Sequence, residues 1–582
     1  MLRTWRSILL LLVFAPGLVA QTQQPPPANK EKSEARDTGT ISGRVVNESG
    51  QPLANAMVYV RTVGVTGYPQ AATTDSEGAF QVSGLDAAAY SVSAHAPAYI
   101  PLAHDPRTGP PPTYRPGDSV TITLFKGGVV TGMVMNAAGE PVVGLGVRVQ
   151  MIRDLNGRSL PRGASRETMT DDRGIYRVYG LLTGTYIVSA GGPTEFSGSF
   201  MNAFETDVAT YAPSSTRGTA AEINVRTGEE VSGIDIRYRA EPGRTVSGEV
   251  QAPTATSAFT VTLTAAGDVG AQWNTNVYQS SETSNFAFNG IADGDYDIYT
   301  RYYSQTEGSG GSEQKRISVR GADVSGIVLG ARPFGSVAGR LVLEETMVAE
   351  CPDKQRPLFN ETMISAWHNE NAAAKRTPDA VWSMGTPTPP NAEGNFVLQN
   401  LAAGEYFFAA RTQTKHWYLR SVTLTPPAGA KAASKPVDAT RVWTNVKPGE
   451  KVSGVTITLA HGAALLRGSL VLGDGEQRPP RLVVYLVPAE RERAEEVLRF
   501  FAAQLTEDGK FFFNNLAPGR YLIFAQSAGE GDGPSLTKIR FPHETALRAR
   551  LRRDAEALKN EIEFQPCQTI SDFKLPLKPP AP

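Results

Sequence analysis

Cysteine is nearly absent from this chain: its 582 residues carry two, Cys351 and Cys567. That excludes a disulfide-dense scaffold and leaves the pair as candidates for one bridge in an oxidising compartment. Excess charge of either sign is absent too, with 57 Lys and Arg against 58 Asp and Glu. No broad field is available to recruit a polyanion, so no nucleic-acid partner is expected. Histidine is scarce, six residues at 95, 104, 368, 416, 461 and 543, and none falls into a zinc-binding spacing; His543-Glu544 lacks a second His four residues on. A Gly-x-Ser-x-Gly nucleophile elbow is missing, and neither cysteine has a nucleophile setting. Asp171-Asp172 and Asp293-x-Asp295 offer two carboxylates each, short of what a calcium site needs. No catalytic residue, metal or cofactor is therefore assigned, and the chain is read as a non-enzyme.

Long apolar runs are confined to the first 20 residues. Arg3 and Arg6 precede the run Ile8 to Phe14, and Leu18-Val19-Ala20 ends in a small residue. This pattern predicts a signal peptide over 1–20, cleaved after Ala20 and too short to span a bilayer. An exported protein, periplasmic or extracellular and without a membrane span, is expected. Residues 21–39, with Pro25-Pro26-Pro27 and the charged stretch Lys30 to Asp37, read as a disordered spacer.

What the sequence has instead is a repeat. The pattern Leu-x-x-Gly-x-Tyr occurs at Leu181, Gly184, Tyr186; at Ile291, Gly294, Tyr296; at Leu401, Gly404, Tyr406; and at Leu516, Gly519, Tyr521. Leu85 to Tyr90 is an earlier copy with Ala88 in place of Gly. The tyrosines follow one another at 96, 110, 110 and 115 residues, the size of one small sandwich per copy. A turn element precedes each anchor: Asp75, Gly78, Phe80; Asp171, Gly174, Tyr176; Asn285-Phe286 alone; Asn391, Gly394, Phe396; and Asp508, Gly509, Phe511. These acidic and amide residues are read as turn caps. Apolar residues then alternate, as in Phe80-x-Val82 and Tyr521-x-Ile523, which means strands with one buried face. Five opening strands carry a glycine at the same place: Gly43, Gly132, Gly248, Gly339 and Gly468.

This pattern, extended in the first copy through Gly50-Gln51-Pro52-Leu53-Ala54 and in the second through Gly139-Glu140-Pro141-Val142, resembles the carboxypeptidase regulatory-like domain of prealbumin-like or starch-binding-like type. The resemblance implies all-β architecture: a tandem array of five antiparallel β-sandwiches at 40–126, 127–241, 242–332, 333–461 and 462–582. It implies no catalysis, since fold analogy carries no activity. Adhesin repeats of related shape crosslink a first-strand lysine, but the matching positions here hold Arg44, Met133, Glu249, Arg340 and Ser469, so isopeptide bonds are not expected. Two helical inserts, near 490–504 and 543–561, are expected as side decorations of the last unit. Cys567 falls in a turn and is expected to be accessible. Short linkers predict a rod of limited flexibility.

Outside the signal, every Trp lies in the third and fourth units. Sugar rings present C–H faces that stack on exposed aromatics, so Trp273 with Tyr302 and Tyr303, and Trp382 with Trp417 and Tyr418, are the candidate ligand-binding residues. Trp367 and Trp443 lie in strand-like runs and are expected in the sandwich core. The reading is a binding or adhesion scaffold with polysaccharide as the favoured partner. The alternative is a structural spacer or protein-interaction module of the cell envelope, recognising an envelope protein through strand edges or the basic helix Arg548 to Arg553.

Overall fold

The computed structural model describes residues 39–63, 68–101, 112–154, 165–192, 204, 206–251, 258–266, 268–278, 283–304, 308–345, 347–352, 354–369, 388–412, 414–425, 435–473, 482–506, 509–527 and 539–577. The signal segment, nearly all of the spacer and Trp382 lie outside the described residues.

Each repeat folds into two facing sheets. In the first, Gly39–Asn47 lies between Ala79–Leu85, which runs antiparallel to it, and Ser119–Lys126, which runs parallel. Gln70–Thr73, Met57–Thr62 and Tyr90–His95 make the opposing sheet. Alternation along Ala79–Leu85 turns Phe80, Val82 and Leu85 inward and Gln81 and Ser83 to water. The parallel pairing of opening and closing strands recurs in all five units, so the sandwiches are antiparallel apart from that pair. Each unit has its own apolar core, from Ile41 through Leu124 in the first to Ala464 through Leu575 in the fifth.

The parallel pair accounts for the shared glycine. A Cβ at Gly43 would stand 1.9 Å from the Val120 carbonyl oxygen, one at Gly132 would stand 2.1 Å from that of Ile234, and one at Gly248 would stand 2.0 Å from that of Ile327. In the last two units the turn aromatic also claims the space, with Phe396 and Phe511 ring carbons 2.4 and 2.5 Å from where a Cβ would be. Any side chain there would push the closing strand off the sheet.

The anchor tyrosine has an equally definite role. Tyr90, Tyr186, Tyr296, Tyr406 and Tyr521 donate their hydroxyls to the carbonyls of Asp86, Leu182, Ala292, Ala402 and Ala517, at 3.0, 2.7, 2.8, 2.8 and 2.8 Å. Each ring fills the core while its polar tip ties down the turn four residues back. Burial pushes these phenols up, to about 12 for Tyr296 and Tyr521.

The turn caps are built alike. Asp75 Oδ1 accepts the N–H of Glu77 and Ala79, Asp171 Oδ1 that of Arg173 and Ile175, and Asn391 Oδ1 that of Glu393 and Asn395. In the fifth unit Thr506 holds this place, accepting the Lys510 N–H at 3.0 Å while Gly509 N–H donates to the Thr506 carbonyl. The cap is therefore two residues earlier than Asp508, which lies outside the described residues.

The inserts of the last unit differ from expectation in two ways. The segment near 490–504 is helical only as two 3₁₀ turns, Arg491–Arg493 and Val497–Arg499, before continuing as the strand Phe501–Gln504. The α-helix Thr545–Leu558 is no decoration: Leu551 and Ala555 join Val487, Phe500, Leu522 and Phe524 in a second core on the outer face of the sheet. Its Arg548 is 6% exposed and donates to the carbonyls of Ile539 and Phe541, so it serves the fold rather than a basic recognition surface.

The units do not make a simple rod. Arg115 of the first unit forms a two-point ion pair with Glu361 of the fourth, so the array folds back on itself. Units four and five are joined more heavily. Phe541 stands 5.7 Å from Trp443, 6.0 Å from Phe407 and 6.5 Å from Trp367 between ring centroids. Asn515 Nδ2 donates to the Trp417 carbonyl at 2.6 Å, and Arg441 pairs with Glu495 at 3.1 Å. Trp367 and Trp443 thus pack between units instead of inside one. Cys351 and Cys567 are bonded across the same junction with Cα atoms 5.4 Å apart, and Cys567, expected to be accessible, is 8% exposed.

Candidate functional site

Where the second and third sandwiches meet, they leave a cleft of about 550 Å³. Period-two alternation along Gly146–Asp154 sends Arg148 and Gln150 to the same face, toward it. The short strand Thr210–Tyr211 and the 3₁₀ turn Arg217–Thr219 add Tyr211 and Arg217. Arg217 Nη1 donates to Gln150 Oε1 at 3.0 Å and to the Tyr211 hydroxyl at 3.3 Å, with its guanidinium 5.9 Å from the Tyr211 ring centroid. These contacts hold three planar polar groups in fixed orientation.

The third unit supplies the opposite wall. Asp268–Tyr278 contributes Trp273, half-buried and set edge-on to Tyr296 at 5.7 Å. The turn between Thr283–Ile291 and Gly294–Ser304 contributes Asp293, and the start of the second strand contributes Asp295. Asp293 Oδ1 accepts the Gly321 N–H at 2.9 Å, and Asp295 Oδ1 accepts from Ser318 at 2.6 Å and Arg320 at 2.8 Å. The Ser318 hydrogen bond and neighbouring arginines hold the Asp295 carboxyl below its usual range, so this wall carries charge at neutral pH.

The other sequence candidates separate. Tyr302 is 5% exposed and packs edge-on against Phe259 at 6.0 Å inside the third core, whereas Tyr303 is 69% exposed. Adjacent strand residues face opposite ways, so the two cannot share a platform. Trp273 sits opposite Leu263 and Tyr302 opposite Phe259, four positions apart on one strand, or about 13 Å. Trp417 is fully buried in the fourth core and donates its indole N–H to the Gln355 carbonyl at 3.0 Å, which removes it as a surface residue. Tyr418 is half-buried beside Arg499 and Arg493, and burial raises its phenol. Among the described members of the set, only Trp273 lines the cleft. Gln150, Tyr211 and Arg217 carry no local signal, because their site exists only once two units pack.

One group of potential metal ligands, Cys351, His461 and Cys567, is buried with its ligand atoms within 4.8 Å of one another. The two sulfurs are bonded to each other and so present no thiolate charge, and His461 Nδ1 accepts the Val348 N–H at 3.1 Å. In this form the trio is a cross-link rather than a cation cage.

Residues 40–123 match the carboxypeptidase regulatory-like domain. Comparison with curated proteins finds no match. The minor pilin of Streptococcus agalactiae is 13% identical over 34% of this chain and 95% of its own, with TM-score 0.18. The shaft pilin SpaA of Lactobacillus rhamnosus GG is 13% identical over 34% of this chain and 97% of its own, with TM-score 0.16. The Bacillus anthracis TIE protein is 10% identical over 94% of this chain and 76% of its own, with TM-score 0.15. At these scores the likenesses bear on neither arrangement nor function.

Proposed function

We propose that the chain is an exported, non-catalytic scaffold that binds carbohydrate in the cleft between its second and third sandwiches. The observation that carries this reading is the convergence of Trp273 with Gln150, Tyr211 and Arg217 across the junction. A sugar ring combines an apolar C–H face with in-plane hydroxyls; an aromatic side chain takes the first and planar forked groups take the second. Junctions between units are also where ligand clefts commonly form. The N-terminal signal pattern and the Cys351–Cys567 bond both suit an oxidising compartment outside the cytoplasm.

One observation favours the alternative of a structural or protein-interaction module. Trp367, Trp443 and Trp417 are taken up by packing within and between units four and five, as a scaffold element would use them. Among its described residues, the tryptophans of the fourth unit accordingly add nothing to the glycan reading.

Titration of residues 21–582 with a polysaccharide panel, read by Trp fluorescence and calorimetry, tests the proposal. Trp273→Ala and Arg217→Ala should each weaken binding about tenfold or more, the loss of one stacking or charge-assisted contact. Because Trp273 also supports the core, Arg217→Ala is the variant that separates binding from folding. Wild-type protein that binds no polysaccharide would overturn the carbohydrate reading and leave the scaffold.

A further inference from the structure

A second cleft, of about 620 Å³, lies where the third sandwich meets the fourth. Its walls are fixed by the Gly449 N–H, which donates to the Pro333 carbonyl at 3.0 Å. Lys315, Arg316 and Arg332 line it from the third unit, against one lining acid, Glu313. Arg316 is neutralised by Asp297 through two contacts. Lys315 and Arg332, both exposed, pair with no carboxylate among the described residues. The same cleft is also lined by apolar surface, with Val328 43% exposed, Phe334 half-buried, and Pro333 and Pro448.

Two cations with no carboxylate partner among the described residues, in a cleft that also exposes apolar surface, are complementary to a ligand that is flat, partly apolar and anionic. We infer that this cleft takes a carboxylate-bearing sugar residue of an acidic polysaccharide, its C–H face on Phe334 and Val328 and its carboxylate between Lys315 and Arg332. The inference rests on the carbohydrate reading above and extends it to a second subsite. Guanidinium and ammonium groups bind carboxylate through charge-assisted hydrogen bonds, and here the cations outnumber the one lining acid, whereas the first cleft is lined by three arginines and three acids.

Calorimetry with an oligogalacturonate and with its methyl-esterified, uncharged counterpart tests this, on wild type, Lys315→Gln/Arg332→Gln and Arg217→Ala. Both Gln substitutions are at exposed positions, and a thermal melt checks that the fold is kept. The acidic oligomer should bind wild type more tightly than the ester and weaken about tenfold in the double variant and on raising salt, while ester binding stays unchanged. Acidic-oligomer binding that the double variant leaves intact would overturn the second subsite even if Arg217→Ala still weakens the ester. Equal affinity for a poly-glutamate peptide, with the same dependence on Lys315 and Arg332, would overturn the sugar assignment in favour of an acidic peptide. Failure of the acidic oligomer to bind wild type would overturn this subsite, while the carbohydrate reading falls only if the polysaccharide panel also fails to bind.

Discussion

Arg115 and Glu361 stand 246 positions apart in sequence and are joined by a bidentate ion pair that links the first sandwich to the fourth. Glu361 is 7% exposed, and its carboxylate also accepts the Leu358 N–H at 3.0 Å and the Thr414 hydroxyl at 2.8 Å. A buried carboxylate with these partners requires a cation, and the fourth unit receives it from outside itself.

Arg115→Ala should undock the first unit. X-ray scattering is expected to show a larger radius of gyration for the variant, and a double-mutant cycle with Glu361→Ala a coupling of about 1–3 kcal/mol. Unchanged scattering would mean that the pair does not hold the closed arrangement.

The Cys351–Cys567 bond closes a loop of 216 positions across the fourth and fifth units. Chain-entropy reasoning puts its contribution at about 5 kcal/mol. A Cys351→Ser/Cys567→Ser variant should lose resistance to denaturant in those two units and leave the first three unaffected, as resolved by hydrogen exchange. Mass spectrometry of the unreduced wild type should show the linked peptides; free thiols would contradict the bond.

Asp171 titrates below its ordinary value of 3.8, chiefly because Oδ1 accepts the Ile175 N–H, with Arg173 adding to the effect. A lowered native value means that the contribution is fully present above about pH 3.8 and is lost as pH falls through the native value. Asn391 makes the corresponding bonds in the fourth unit without ionising. Asp171→Asn should therefore keep the turn at neutral pH and flatten the acid limb of the second unit's stability curve. A variant with an unaltered acid limb would rule out Asp171 as its origin.

Much of the fold was legible because its determinants are local. Leu516-x-x-Gly519-x-Tyr521 encodes a tyrosine that reaches back four residues, and Asp75 caps a turn four residues long. The shared glycine was visible, but its cause was not: it depends on the parallel closing strand, about 80 residues downstream of Gly43 at Val120. Alternation likewise could not reveal that Trp417 faces a core, since a half-exposed and a buried indole leave the same mark in sequence.

By itself the sequence determined the sandwich repeats, their strands and their turns, since these follow from spacing and residue type within one unit. Tertiary structure alone decided which aromatics reach a cleft, that Arg217 and Trp273 line one cleft from two units, and that Arg115 docks on Glu361. Those outcomes depend on how separately folded units pack against one another. Such juxtapositions join side chains of different units and leave no periodicity in the chain for a reader to find.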